Sequence, residues 1–290
     1  MIPLLSIVIP THKRPEILRR CLEHIEKQTI IDQIEVIVVS DGEKLKEESG
    51  KWKMPVHVFD VRKSHQGVAR NEGMKHVQGK YVMFIGDDIF LAPDACEKHL
   101  KAHSPPLPRT GEGAGGRGCM SRSVLGFTTW DPACGITPVM EWLEKSGWQF
   151  GYPTIQPYSH STIPPSIQHR FTYTSHISLP MEIAKKFPFR EDVTLYGWED
   201  VEWGWRLKNA GVKLFYEPDA KTLHHHHMEL SDSLKRMDTL GRSAIVMDRL
   251  VPQLGLVPRG WKLMKYQLAS WLPTMRGKHA QAFMRGLRTT

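Results

Sequence analysis

Four segments of this 290-residue sequence carry side chains in patterns that could do polar chemistry. Gly86-Asp87-Asp88 sets two carboxylates directly after the apolar run Tyr81-Val82-Met83-Phe84-Ile85. Such oxygens suit a hard divalent cation, and neighbouring acids repel unless positive charge lies between them. Gly-Asp-Asp is also ordinary turn chemistry. Glu199-Asp200 follows Tyr196-Gly197-Trp198 and opens a helical pattern carrying Trp203, Leu207 and Ala210. Backbone N–H groups at a helix start stabilise carboxylates, which accounts for one acid; the other is free to act as a general base. Three Trp residues around these acids fit either a partly dry pocket or plain core packing.

His224-His225-His226-His227 is the third segment. In extended chain alternate side chains point to opposite sides, so one or two of the four can reach a site just beyond a sheet edge, where imidazole ligates Mn²⁺ and similar ions. The rest read as solvated loop histidines. The fourth segment runs from His65 to Gly73. Gly67 at a helix start allows an anion to approach, and Arg70 can pair with a diphosphate or with Asp87 or Asp88. The Walker Gly-Lys-Ser/Thr does not occur, and Gly-x-Gly-x-x-Gly occurs only at 111–116 and 113–118, in a Gly-rich run that follows no apolar strand pattern, which argues against ATPases and nicotinamide enzymes.

Apolar, β-branched runs at Leu5–Ile9, Ile34–Val39, Val56–Phe59 and Tyr81–Ile85 predict strands. Between them, Leu18, Cys21, Leu22 and Ile25 after Pro15 predict a helix, as does Gly67–Val77. Strands separated by helices imply a mostly parallel sheet covered on both faces, with ligands at the carboxyl strand ends. Asp41 and Asp87-Asp88 fall at such ends. Pro93 is expected to open a further helix, with a strand at Ser123–Phe127, a helix at Pro138–Lys145, a long covering loop over 151–168, a helix after Leu179-Pro180 and a late strand at Val212–Tyr216. Residues 104–118, dominated by Gly and Pro, read as a flexible insert.

Composition narrows the class. Forty per cent apolar and 24% charged residues describe a globular chain. No run approaches the roughly 18 apolar residues of a membrane span, and the apolar start reads as a buried strand rather than a signal peptide. Cys21, Cys96, Cys119 and Cys134 match no zinc or redox spacing, so a cytoplasmic location is expected. The net charge of +8 is concentrated: residues 251–290 hold Arg259, Lys262, Lys265, Arg276, Lys278, Arg285 and Arg288 and no acid. With Trp261, Met264, Leu268 and Trp271 at near-helical spacing, this tail reads either as a helix on an anionic membrane or as a packed helix with a solvated basic face. A nearly neutral body leaves no nucleic-acid partner expected.

The order of these segments is more specific than any one of them. Ser6-Ile7-Val8-Ile9-Pro10-Thr11-His12-Lys13-Arg14-Pro15, Val38-Val39-Ser40-Asp41-Gly42, Gly67-Val68-Ala69-Arg70-Asn71, Phe84-Ile85-Gly86-Asp87-Asp88-Ile89, Gly197-Trp198-Glu199-Asp200 and Pro218-Asp219-Ala220-Lys221-Thr222-Leu223-His224 follow one another. From about residue 4 to residue 228 the chain resembles the family-two glycosyltransferases of the GT-A fold. The resemblance implies an α/β domain over 1–245, with 246–290 as a basic helical extension. It implies transfer of a sugar, with inversion, from a nucleotide-diphosphate donor (UDP first) to a hydroxyl acceptor on a glycan, lipid-linked or small molecule. Pro10, Thr11 and Arg14 would line the base and ribose pocket, Asp41 would bind the base, and Arg70 and Asn71 would lie near the nucleotide-sugar. Gly86 occupies the first position of the family's Asp-x-Asp motif. Asp88 with His224 would then hold Mn²⁺ or Mg²⁺, with Asp87 as a ribose or supporting partner. Asp200, beside Glu199, matches the base. The alternative is a non-catalytic nucleotide-sugar or glycan binder on the same fold.

Overall fold

The computed structural model describes residues 2–42, 45, 51–104 and 121–289. The 104–118 insert, apart from Ser104, and Cys119 lie outside the described residues. In chain order the elements are β1 (Leu5–Thr11), α1 (Pro15–Ile25), β2 (Ile34–Asp41), β3 (Val56–Val61), α2 (Gln66–Met74), β4 (Tyr81–Ile85), β5 (Ile89–Leu91), α3 (Ala95–His103) and β6 (Arg122–Trp130). They continue with α4 (Pro138–Ser146), α5 (Tyr152–Ile155), β7 (Ser161–Thr162), β8 (His176–Pro180), α6 (Met181–Lys186), α7 (Glu199–Asn209), β9 (Lys213–His224), α8 (Leu230–Leu250), α9 (Trp261–Ser270) and α10 (Met275–Gly286).

Among the described residues the strands form one sheet in the order β3-β2-β1-β4-β8-β6-β9-β5, with β7 added to β9. The β3-β2-β1-β4 half is parallel, and β8 runs antiparallel between β4 and β6. Alternation explains the unbroken apolar runs. Val8, Ile37, Val82 and Phe84 enter one core, shared with Trp203 and Leu207 of α7. Their neighbours Ile7, Ile9, Val36, Val38, Met83 and Ile85 enter the other, beneath Leu18, Cys21, Leu22 and Ile25 of α1. Both faces are buried, and polar residues within these strands are paired inside, as where Ser6 Oγ donates to Glu35 Oε1.

The second half differs from the sequence reading in four places. Pro218-Asp219-Ala220 does not end the late strand. It forms a bulge at which the β6 register jumps from Gly126↔Glu217 to Phe127↔Lys221, and β9 then runs on to His224. The bulge accommodates the proline, which a regular ladder would not. Residues 151–168 contain α5 and β7 rather than one loop. β5 and β8 were not foreseen, the former too short and the latter polar at His176 and Ser178. The expected 245/246 boundary falls inside the continuous helix α8.

Candidate active site

The carboxyl end of β4 delivers Asp87 and Asp88, both almost fully buried. Arg14, at the start of α1, spans them: its guanidinium donates to Asp88 Oδ2 at 2.9 Å and to Asp87 Oδ1. Thr11 Oγ1, at the end of β1, donates to Asp87 Oδ2 at 2.6 Å. Burial pushes Asp87 up to about 6 against the pull of Arg14. Asp88 is buried too, yet the imidazoles of His224 and His226 together with Arg14 hold it well below the usual carboxylate range. Arg14 is therefore the charge partner of the acid pair in this state. The alternative partner expected for these acids, Arg70, lies elsewhere.

The histidine run divides as strand alternation requires. His224 pairs in register with Ile89 and Trp130, so it lies within the sheet and not beyond its edge. His224 Nε2 lies 3.5 Å and His226 Nδ1 3.7 Å from Asp88 Oδ2. These three ligand atoms fall within 4.8 Å of one another. They are too far apart for good hydrogen bonds but have the spacing of ligands around one cation. The mixed oxygen and imidazole set fits Mn²⁺ or a similar ion. Trp130 stacks on the His224 ring at 5.0 Å, and the two imidazoles stack at 5.4 Å, which fixes their orientation.

His225 points the other way. Its Nε2 accepts from Arg20 at 2.8 Å, so its proton sits on Nδ1, 2.6 Å from Asp131 Oδ2. Its backbone N–H donates to Asp88 O at 2.8 Å. His225 thus anchors the segment while its neighbours face Asp88. His226 was missed as a third candidate ligand, although two-residue alternation from His224 signals it. His227 is exposed and bonds to Glu229 and Cys134 O, as a loop histidine would.

The second acid pair starts α7. Gly197 (φ 104°) and Trp198 (φ 70°) adopt left-handed backbone just before it, and Trp198 does so despite its side chain. Strain of this kind gathers at functional sites. α8 holds the turn: Trp198 Nε1 donates to Leu240 O at 2.9 Å and Ser243 Oγ to Gly197 O at 3.1 Å. Glu199 accepts from Gly197 N at 3.1 Å, and Asp200 from Val201 N at 2.8 Å. Burial, then the charge of Glu199, pushes Asp200 up to about 7, with Arg70 pulling it down. Arg70 is 3% exposed, and its Nε and Nη1 have no hydrogen-bond partner. Only Nη2 is engaged, donating to Gln66 at 3.1 Å. The guanidinium lies 5.5 Å over the Phe189 ring and faces Glu199, Asp200 and Tyr196. The Phe150 ring lies 5.8 Å from His224 and 5.5 Å from Tyr173, whose hydroxyl is raised mainly by burial and further by the charge of Asp200.

Other expected site residues are placed differently. Asn71 bonds to Phe189 N and O and to Glu191, so its amide straps α2 to that segment. Gly67 N donates to the His65 ring at 3.2 Å, which closes that helix start to an anion. Asp41 Oδ1 accepts from Ser64 N at 2.6 Å at the end of β2, and Pro10 lies in β1. The three Trp residues near Glu199 are structural. Trp203 is fully buried against Phe84 and Phe189, Trp198 is held by α8, and Trp205 packs on His169 and under Lys208.

Comparison with known proteins finds a family match and a shared fold. Residues 6–106 match the model of glycosyl transferase family 2. Validoxylamine A glucosyltransferase of Streptomyces hygroscopicus is 25% identical over 237 residues, 73% of this chain and 53% of that one. The mannosyltransferase PcManGT from Pyrobaculum calidifontis, solved with GDP-Man and Mn²⁺, superposes with a TM-score of 0.61 at 14% identity, over 100% of this chain and 76% of that one. S. aureus TarS in complex with UDP gives 0.51 at 15% identity, over 83% of this chain and 65% of that one. The chain spans between 26% and 53% of the length of the first curated relatives it matches. Fold, motif order and family match coincide: residues 6–106 match glycosyl transferase family 2, and the chain has the GT-A fold.

Proposed function

We propose that the protein is a metal-dependent, inverting glycosyltransferase that moves a sugar from a nucleoside diphosphate to an acceptor hydroxyl. The observation that carries the reading is the pairing of a cation-ready cluster, Asp88-His224-His226, with a separate buried acid, Asp200, beside an unsatisfied guanidinium. Asp88, His224 and His226 would hold a divalent cation, which would supply countercharge to the departing diphosphate. Thr11, Arg14 and Asp87 adjoin that cluster on the side where β1 ends, and Pro10 and Asp41 mark the neighbouring strand ends where the nucleoside binds. Arg70 offers two unengaged nitrogens, Nε and Nη1, to the oxygens of the donor.

Asp200 takes the proton of the acceptor hydroxyl as its oxygen attacks the anomeric carbon. The bond from that carbon to the diphosphate oxygen breaks in the same displacement, so configuration inverts. Glu199 acts through Asp200, raising its proton affinity by charge. UDP is the first donor to test, since TarS is solved with UDP; PcManGT, solved with GDP-Man, makes GDP the next. The acceptor class is a hydroxyl-bearing glycan, lipid-linked or small molecule.

A panel of nucleotide-sugars with Mn²⁺ is expected to yield release of one nucleoside diphosphate, lost on chelation. Binding of a nucleotide-sugar without turnover of any donor would establish the non-catalytic reading instead.

A further inference from the structure

The C-terminal segment folds so that its apolar residues face outward. α9 buries no residue. Trp261 is 60% and Trp271 87% exposed, and Met264, Leu268 and Leu272 are each more than half exposed. Trp261, Met264, Leu268 and Trp271 lie three or four residues apart, on one stripe of the helix. The opposite side is docked. Tyr266 packs on Phe283 of α10, and Gly277 sits so close that a Cβ there would lie 2.0 Å from Leu272 O. The packed-helix reading of the tail therefore holds for α10, whose Ala280, Ala282, Phe283 and Met284 are buried, whereas α9 packs only through the side that carries Tyr266 and leaves its apolar stripe exposed.

Charge frames the stripe. Among the described residues Lys262, Lys265, Arg276, Lys278 and Arg288 have no ion-pair partner, whereas Arg259 and Arg285 are held by Asp248 and Asp238. No acid occurs in 251–290 to offset them. Lys265 lies 4.2 Å over the Trp261 ring, at the edge of the stripe. A groove of about 410 Å³ runs beneath it, lined by Met264, Leu268, Trp271, Met284 and Arg288, so a guanidinium opens onto an apolar floor.

We propose that α9 and the start of α10 form a docking surface for an anionic lipid bilayer. Trp261, Met264, Leu268, Trp271 and Leu272 enter the headgroup boundary, and the unpaired Lys and Arg residues meet lipid phosphates. Two Trp side chains suit that boundary because their rings are amphipathic. The charge complementarity favours lipid over a second copy of the chain, whose matching face would carry the same positive charge.

The test is flotation of the full chain with vesicles of phosphatidylcholine containing about a third phosphatidylglycerol. Binding is expected at low salt, at least tenfold weaker to pure phosphatidylcholine, and reduced by raised salt. The exposed variant Trp261→Ser/Leu268→Ser/Trp271→Ser is expected to lose binding with its thermal melt unchanged. Lys262→Glu/Lys278→Glu/Arg288→Glu is expected to lose the preference for phosphatidylglycerol. Equal binding to both vesicles, or no binding to either, overturns the proposal. A dimer in solution that the Trp/Leu variant dissociates would do so too, by placing a second copy on the stripe.

Discussion

Asp200 holds its proton to about 7, where an ordinary aspartate ionises near 4. A base must be ionised before it can accept a proton, so kcat/KM is expected to rise with pH through about 7 and then level. Arg70 lowers the proton affinity of Asp200, so Arg70→Met should move that limb to higher pH as well as weaken donor binding. Asp200→Asn should reduce turnover by about 10²- to 10⁴-fold while nucleotide binding, followed by calorimetry, survives. Retained turnover would remove Asp200 from the mechanism. His226→Ala is expected to lower Mn²⁺ affinity in the same calorimeter. Asp131→Asn, which loosens the grip on His225, should cost about tenfold or more, as loss of an orienting partner does. The acids themselves were legible, because Asp87-Asp88 and Glu199-Asp200 are contiguous and end or begin elements. Arg14 between the acids was not, since the pairing closes over 74 residues of chain. The bonding of Asn71 was hidden for the same reason, its partners lying 118 and 120 residues away.

At the level of elements, the parallel half of the sheet could be read from its β-branched runs because both faces are buried and polar residues such as Ser6 and Glu35 interrupt them only singly. The antiparallel insertions resisted. β8 carries His176 and Ser178 inward, and these polar residues are tolerated only because they close a network with α3. His99 and His103 each approach Ser178 Oγ at 2.8 Å, and His99 meets His176 at 3.0 Å. Burial keeps all three imidazoles neutral: His103 and His176 are lowered to about 3, and His99 is held well below its usual range. The unfolded chain protonates them near 6.5, so this contribution is complete above that pH and is lost as pH falls toward 3. His103 and His176 each cost on the order of 1.4 kcal/mol of stability per pH unit within that window. Thermal melts between pH 7 and about 4 should therefore show a steep fall in Tm, and His103→Leu should flatten it.

The whole molecule joins two regions that the sequence kept apart. α8 packs its Leu240 and Ser243 on the turn that presents Glu199 and Asp200, and crosses α10 through glycines. A Cβ at Gly241 would lie 2.3 Å from Phe283 O, and one at Gly286 would lie 2.0 Å from Asp238 O. Such contacts leave no slack, so Gly286→Leu is expected to lower stability by about 1–3 kcal/mol or more in denaturant melts. It should also lower turnover through the displaced turn, with Mn²⁺ affinity spared. Sequence patterning showed a basic appendage because charge is read one residue at a time, whereas the glycine crossing is a property of two helices at once.

One practical corollary concerns amputation. Because the last helix braces the rod that steadies the Gly197-Trp198 corner, a clone stopped at codon 250 would lose a buttress along with any lipid-facing stripe. Its silence in an assay would report collapse of the workshop, and only pinpoint edits on the outer skin can ask where the protein is stationed.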